Sequence, residues 1–306
     1  MAAAIRTQRK SKQWEKAIPY LLILPVIIYY ILFWLRPVVD VIIGSFTDPA
    51  THSFTLNNFA MVFQDETFWP AFWNTTIIVI FSVSLEFFAA LALALLINRK
   101  FWGSSYFLFL VIIPMALPPV AAAAMWQTGL TPHGWLNSLL VHLGVLTEGH
   151  KIYWLGSYDV NRWHLLLVII LVDAWTTIPS VMIILLAGLQ NLPREAIEAG
   201  YVFGGGKWTV LRKITIPMLS STIQTAVILR LIAAIQIWLI IVLLLGFGRL
   251  PVLVERIVYY HEEVPGLDIS YQMATGYTVI VSLLVSAAAF VYLYVSGAFK
   301  KREEAA

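Results

Sequence analysis

The sequence predicts an all-α integral membrane protein built as a bundle of six transmembrane helices. Three observations carry this. Of 306 residues, 60% are hydrophobic and only 12% charged, and the mean hydropathy is +0.80, a balance no soluble domain sustains. The apolar residues gather in runs of roughly 20 or more, the length a helix needs to cross a hydrocarbon core of about 30 Å. Lysine and arginine fall on alternate connections between those runs. The chain has no cysteine, which excludes disulfides, thiolate metal sites and cysteine nucleophiles.

The first run, 18–43, follows a tail holding Arg6, Arg9, Lys10, Lys12 and Lys16. Signal peptides open the same way. This run exceeds a signal core, and no small-residue cleavage pattern follows it, so it reads as a retained anchor. The second run is 71–98 and the third 105–128. Pro114, Pro118 and Pro119 interrupt the third, which bundled helices tolerate where neighbours satisfy the freed backbone groups. The fourth, fifth and sixth runs are 163–189, 220–246 and 273–299. One transmembrane domain over 18–299 is expected, between tails at 1–17 and 300–306.

Charge sets the orientation. The two tails and the connections 99–104 and 190–219 hold 14 of the Lys and Arg residues. The other connections hold only Lys151, Arg162, Arg249 and Arg256. By the positive-inside rule both termini and the 190–219 loop face the cytoplasm. Trp69, Trp73, Trp102, Trp126, Trp154 and Trp163 lie near span ends, as an interfacial belt predicts. His52, His133, His142, His150, His164 and His261 fall on or near the external side without metal-ligand spacing, and read as solvated. So do the carboxylates Glu255, Glu262, Glu263 and Asp268. No Walker A pattern occurs, so the chain cannot hydrolyse ATP alone. No catalytic cluster marks a membrane enzyme. A secondary transporter or channel is the rival class, although no internal repeat is visible.

Glu86, Asp173 and Arg230 lie deep within predicted spans, where each costs about 2.5–3.5 kcal/mol on insertion scales. Two readings are open: a polar lining of a solute path, or an ion pair of Glu86 with Arg230 locking the second and fifth spans. The pair is preferred. Gln236 and Trp238 join a hydrogen-bonding group to an aromatic face. Two residues apart on a helix, they are expected to point to different sides. Asp173 and Trp175 are further candidates from the fourth span.

The segment from Pro193 to Pro217 is polar, basic and broken by glycine. Pro193 can start a short helix with Glu195 and Glu198 in its first turns, where carboxylates suit the helix dipole. Gly204-Gly205-Gly206 ends it, and Lys207 to Lys213 can form a second short helix before Pro217. Any basic loop with an interfacial helix would share these features.

The spacing goes further. Glu198-Ala199-Gly200 is followed by Gly204 and then by Ile214-Thr215-Ile216-Pro217. This resembles the EAA loop of ABC-importer permeases, with Gly200 for the second Ala, Phe203 for Asp, Gly205 for Ala and Ile216 for Leu. Asn74-Thr75, Pro114, Pro118-Pro119, Trp126, Gly134-x-x-Asn137, Trp175-x-x-x-Pro179 and Ala187-Gly188-Leu189-Gln190 stand at matching distances. The chain is similar to the sugar-type branch of that family, the maltose and trehalose permeases. The resemblance implies a type I permease fold and a role as half of a translocation path. It implies a second permease, two ATPase subunits and an extracytoplasmic substrate-binding protein as partners, with lipid around and no nucleic acid. ATP and Mg would sit on the ATPase; this chain would bind no cofactor. Glu195, Glu198, Ala199, Gly200, Gly204, Ile214 and Pro217 would form the coupling element. Arg230, Gln236 and Trp238, with Asp173, Trp175 and Glu86, would line the path. Related permeases carry more acids and amides in the fifth span, which suggests that the partner permease holds most ligand contacts or that this chain only lines the path. The implied solute is a di- or oligosaccharide, with a sugar-phosphate or polyol ester as the alternative.

Overall fold

The computed structural model describes residues 18–156, 161–264 and 268–298. The predicted tails at 1–17 and 300–306 lie outside them. Among the described residues, four helices are long and apolar enough to cross a membrane. They are α1 (Ile18–Ser45), α3 (Phe68–Asn98), α7 (Arg162–Gln190) and α13 (Asp268–Val295). A short helix α2 (Asn57–Gln64) precedes α3. Two bent helix pairs, Ser104–Ala116 with Pro119–Gly129 and Lys207–Met218 with Ser220–Ile235, raise the count to six if each pair is one span.

The third run is two helices, α4 (Ser104–Ala116) and α5 (Pro119–Gly129), meeting at 97°. The interruption by proline expected within 105–128 is thus a sharp bend. The bend follows from proline sterics. Leu117 precedes Pro118 and is pushed to ψ 130°, and Pro118 itself is extended at ψ 145°. Pro114 lies inside α4 without breaking it. A small helix α6 (Trp135–His142) follows, pinned by Asn137. Its amide donates to the carbonyls of Thr131, Pro132 and Ile152, and its carbonyl accepts from Trp154 Nε1.

The fifth run differs from the single helix expected over 220–246. α10 (Ser220–Ile235) stops at Gln236, and α11 (Leu239–Leu245) restarts after Trp238. Sixteen residues rise only about 24 Å. The break therefore falls within the apolar run rather than at its end. Neither glycine nor proline marks it. Trp238 adopts φ −155° and ψ −46°, outside the helical basin, and so turns the chain.

The long helices α3 and α7 form the spine, and α10 packs against both and against α13. Two apolar clusters fill the spine. Ala90 and Ala94 of α3 meet Met182, Leu185 and Leu189 of α7 near the 190–219 loop. Ile78 meets Leu166 and Ile169 near the other end. A third cluster joins Val62, Phe68 and Ala71 to Leu253 and Tyr277. α1 is apolar around its first turns, from Ile18 to Leu35, carries the exposed ion pair Arg36–Asp40 further on, and touches α13 through its last turns.

The 247–264 segment is clamped to the spine by polar groups. Asn74 donates to Pro251 O at 2.8 Å and accepts from Arg162 Nε at 2.6 Å, and Thr75 Oγ1 accepts from the Leu253 amide. Asp65 Oδ2 accepts from Tyr260 and Tyr277 at 2.9 and 2.6 Å. Glu255 was expected to be solvated. Instead it is buried at 1% exposure on α12 (Leu253–Val258) and paired with Arg256 at 2.9 Å. Its Oε1 also accepts the Gly248 amide at 2.8 Å. A buried charge needs such partners, and the adjacent arginine supplies the cation. His164 was likewise expected in solvent. Its ring stacks on Trp154 at 5.9 Å and its Nε2 is buried. Trp126 and Trp154 pack against the spine cluster rather than facing outward from a belt.

Candidate coupling surface and solute path

The 193–217 segment folds as a helix, a tight turn and a second helix. α8 (Arg194–Val202) follows Pro193, which presets the entering backbone. Glu195 lies in its first turn, where the helix dipole favours an acid. The end of α8 is a Schellman turn: the Gly205 amide donates to Gly200 O at 3.0 Å and the Gly204 amide to Tyr201 O at 2.9 Å. The turn requires Gly204 at φ +83°, a region closed to most side chains. α9 (Lys207–Met218) then runs on past Lys213, further than the helix expected there. It does so by a π-helical stretch at Leu211–Thr215, where the Ile216 amide bonds Leu211 O. Pro217, with no N–H to donate, sits just beyond this register shift.

The two helices pack through Gly200. A Cβ at that position would fall inside contact distance of Ile214 Cδ1. Glycine at 200 therefore lets the two helices approach closely, and a larger residue there would require Ile214 Cδ1 to move. Tertiary packing fixes Gly200 and Ile214 on the inner side of the loop, with Thr215 buried beneath. Glu195, Glu198 and Ala199 are exposed. Among the described residues no cation of this chain pairs with either carboxylate. Next to them Val202 and Phe203 are 83% and 90% exposed, and Trp208 is 70% exposed. A cavity of about 650 Å³ lies between Tyr201, Lys207 and Trp208 on the loop and Asn98 and Arg99 at the end of α3. The loop thus offers a rigid tip with two free acids beside a large apolar face.

The buried charges form a three-way cluster, not a pair. Arg230 of α10 donates through Nε and Nη2 to both oxygens of Glu86 on α3, and through Nη2 to Asp173 Oδ2 on α7. Ser82 donates to the same Asp173 oxygen at 2.9 Å. Glu86 is fully buried and Arg230 is 7% exposed. The arginine fork matches a carboxylate in two-point geometry, which locks three helices at one level. Sequence reasoning found all three residues, but not that Asp173 belongs with the other two.

Asp173 also faces the other way. It lines a cavity of about 270 Å³ with Thr176, Thr177, Gln236, Trp238, Leu117 and Pro119. This cavity lies where the 117–118 bend and the 236–238 break come together beside α7. Because the helix stops at Gln236, that side chain and Trp238 share one cavity. The expectation that they point to different sides is corrected by this loss of helical geometry. Trp175 packs edge-on against Trp126 at 5.5 Å, and Glu86 and Arg230 lie behind Asp173 rather than on the lining. Thr176 and Thr177 had no sequence signal beyond their place on α7.

Residues 86–303 match the family described as the binding-protein-dependent transport system inner membrane component. The chain belongs to this family. It is a transmembrane permease subunit of an ABC importer, a component of the inner membrane. It is 31% identical over 245 residues to the trehalose/maltose transport system permease protein MalF of Thermococcus litoralis, across 78% of this chain and 80% of that protein. It is also 31% identical over 268 residues to the sulfoquinovosyl glycerol transport system permease protein SmoG of Agrobacterium fabrum, across 85% and 84%. In fold it resembles a bacterial ABC transporter that imports the acidic polysaccharide alginate, with a TM-score of 0.79 over 94% of this chain and 98% of that one at 21% identity.

Proposed function

We propose that this permease carries a di- or oligosaccharide along a path lined by Asp173, Gln236 and Trp238, and is driven through the 194–218 loop by a separate ATPase. The loop end then faces the cytoplasm, as the lysine and arginine distribution requires. A second permease completes the path, two ATPase subunits hold ATP and Mg below it, and an external binding protein delivers the solute. The observation that carries this is the loop itself. Glu195 and Glu198 stand exposed and unpaired beside the apolar tip of Val202, Phe203 and Trp208 on a packed helix pair. A monomer gains nothing from such a surface, whereas a groove with a basic residue would bury it. Nucleotide-driven closure of the ATPase pair would move the two loops together and switch the cavity between faces as rigid bodies. Substrate class is supported by the trehalose/maltose relative and by the hydroxyl, amide and indole groups of the cavity.

The test is a gentle detergent purification from native membrane followed by ATP-driven uptake in proteoliposomes. A second permease and a Walker-motif ATPase are expected to copurify. Glu198→Lys is expected to leave insertion intact while ATP hydrolysis no longer drives uptake. Normal uptake by that variant, or solute movement by the chain alone without ATP, refutes the proposal.

A further inference from the structure

The path cavity has an unequal electrostatic wall. Its polar lining is Asp173, Thr176, Thr177 and Gln236, with the Trp238 indole beside them. Thr176 donates its hydroxyl to Asp173 O at 2.8 Å, so its oxygen lone pairs remain as acceptors. Asp173 spends Oδ2 on Arg230 and Ser82, and Oδ1 has no partner among the described residues. Among the described residues no lysine, arginine or histidine lines the cavity. The one cation bonded to its wall, Arg230, lies behind Asp173 and directs its donors at two carboxylates. The cluster therefore holds two acids against one base.

We infer that this cavity admits a neutral polyhydroxylated solute and turns away anionic sugars, with Asp173 as the discriminating group. The inference rests on the proposed solute path and goes further in naming the charge of the solute. A neutral sugar donates hydroxyls to Asp173 Oδ1 and to the threonine oxygens, accepts from the Gln236 amide, and lays an apolar ring face on Trp238. A phosphate or sulfonate would shed water beside a carboxylate without gaining a counter-charge. Like-charge repulsion separates two solutes whose hydroxyl contacts are otherwise alike. The relatives alone do not choose, since one is named for trehalose/maltose and another for sulfoquinovosyl glycerol, a sulfonate.

The experiment is competition binding to the purified permease–ATPase complex without binding protein, so that only the path selects. Labelled trehalose is displaced by unlabelled trehalose or by trehalose 6-phosphate, one scaffold in neutral and anionic form. The neutral sugar is expected to displace at a concentration at least tenfold lower. Gln236→Lys, which sets a cation on the same wall at an exposed position, is expected to narrow that gap at least threefold. Equal or stronger displacement by the phosphate, absence of saturable trehalose binding, or an unchanged gap in Gln236→Lys overturns the inference. ATP-driven uptake by the same complex is measured in parallel. Uptake that persists while the anion binds better removes only the claim about charge, and its absence removes the importer reading as well.

Discussion

Removing the guanidinium of Arg230 tests the central cluster most sharply. Arg230→Met keeps an unbranched, flexible apolar stem on α10 but leaves Glu86 and Asp173 facing one another without a cation. Their side chains are 0% and 11% exposed, so water reaches only the face of Asp173 that lines the cavity and cannot reach Glu86. Breaking a buried ion pair from one side costs about 3–5 kcal/mol, and here one cation serves two acids, which places the loss toward the upper end. Protonation of one carboxylate caps the cost, because a buried acid neutralises before it bears the full burial penalty. Glu86→Gln is the counter-case. It leaves Arg230 and Asp173 as a one-to-one pair and preserves the shape of the Glu86 site, so its cost is about 1–2 kcal/mol, the scale of one weakened hydrogen-bonded contact. Adding Asp173→Asn to Arg230→Met is expected to return part of the loss. The measurement is denaturant unfolding in mixed micelles, supported by the fraction surviving heating on size exclusion. If Arg230→Met unfolds within about 1 kcal/mol of wild type, or Glu86→Gln costs as much as Arg230→Met, the cluster does not hold the three helices and the reasoning fails.

Two further outcomes follow from other parts of the fold. Gly200→Val is expected to separate α8 from α9 by driving a side chain into Ile214, lowering copurification of the ATPase several-fold while the spine remains folded; undiminished copurification would show that the helix pair is not the docking unit. At the opposite end, burial raises the Asp65 pKa, but hydrogen bonds from Tyr277, Thr67 and Tyr260 outweigh it and hold the group below the usual carboxylate range. A depressed folded pKa stabilises above the unfolded value of about 3.9 and is lost as pH falls through the folded value. Stability is therefore expected to be flat from neutral pH to mildly acidic pH and to drop below about pH 4, with Asp65→Asn removing that contribution and costing about 1 kcal/mol at neutral pH because the site is half-exposed. Unfolding midpoints of the two proteins across pH check the sign.

Much of this protein was legible without coordinates because a bilayer constrains sequence so strongly. Runs such as 71–98 and 163–189 must be helical, since a backbone in lipid satisfies its polar groups only within itself. The turn at Gly204 was legible because few residues adopt positive φ. Other features were decided by contact. Glu255 reads as a loop acid until Arg256 and the Gly248 amide bury it. The break at Gln236–Trp238 carries no proline or glycine, so nothing local announces it; packing of α11 against α5 and α7 holds the chain there. Asp173 joins Arg230 only when α3, α7 and α10 meet at one level, and it opens onto the cavity only because two helices stop beside it. The sequence by itself determined that the chain is a helical membrane protein and where its polar, glycine-broken 193–217 loop lies, because periodicity, charge and turn chemistry are local properties. The tertiary structure alone decided which buried charges neutralise one another and which polar groups share a cavity, because those depend on distances between residues far apart in the chain.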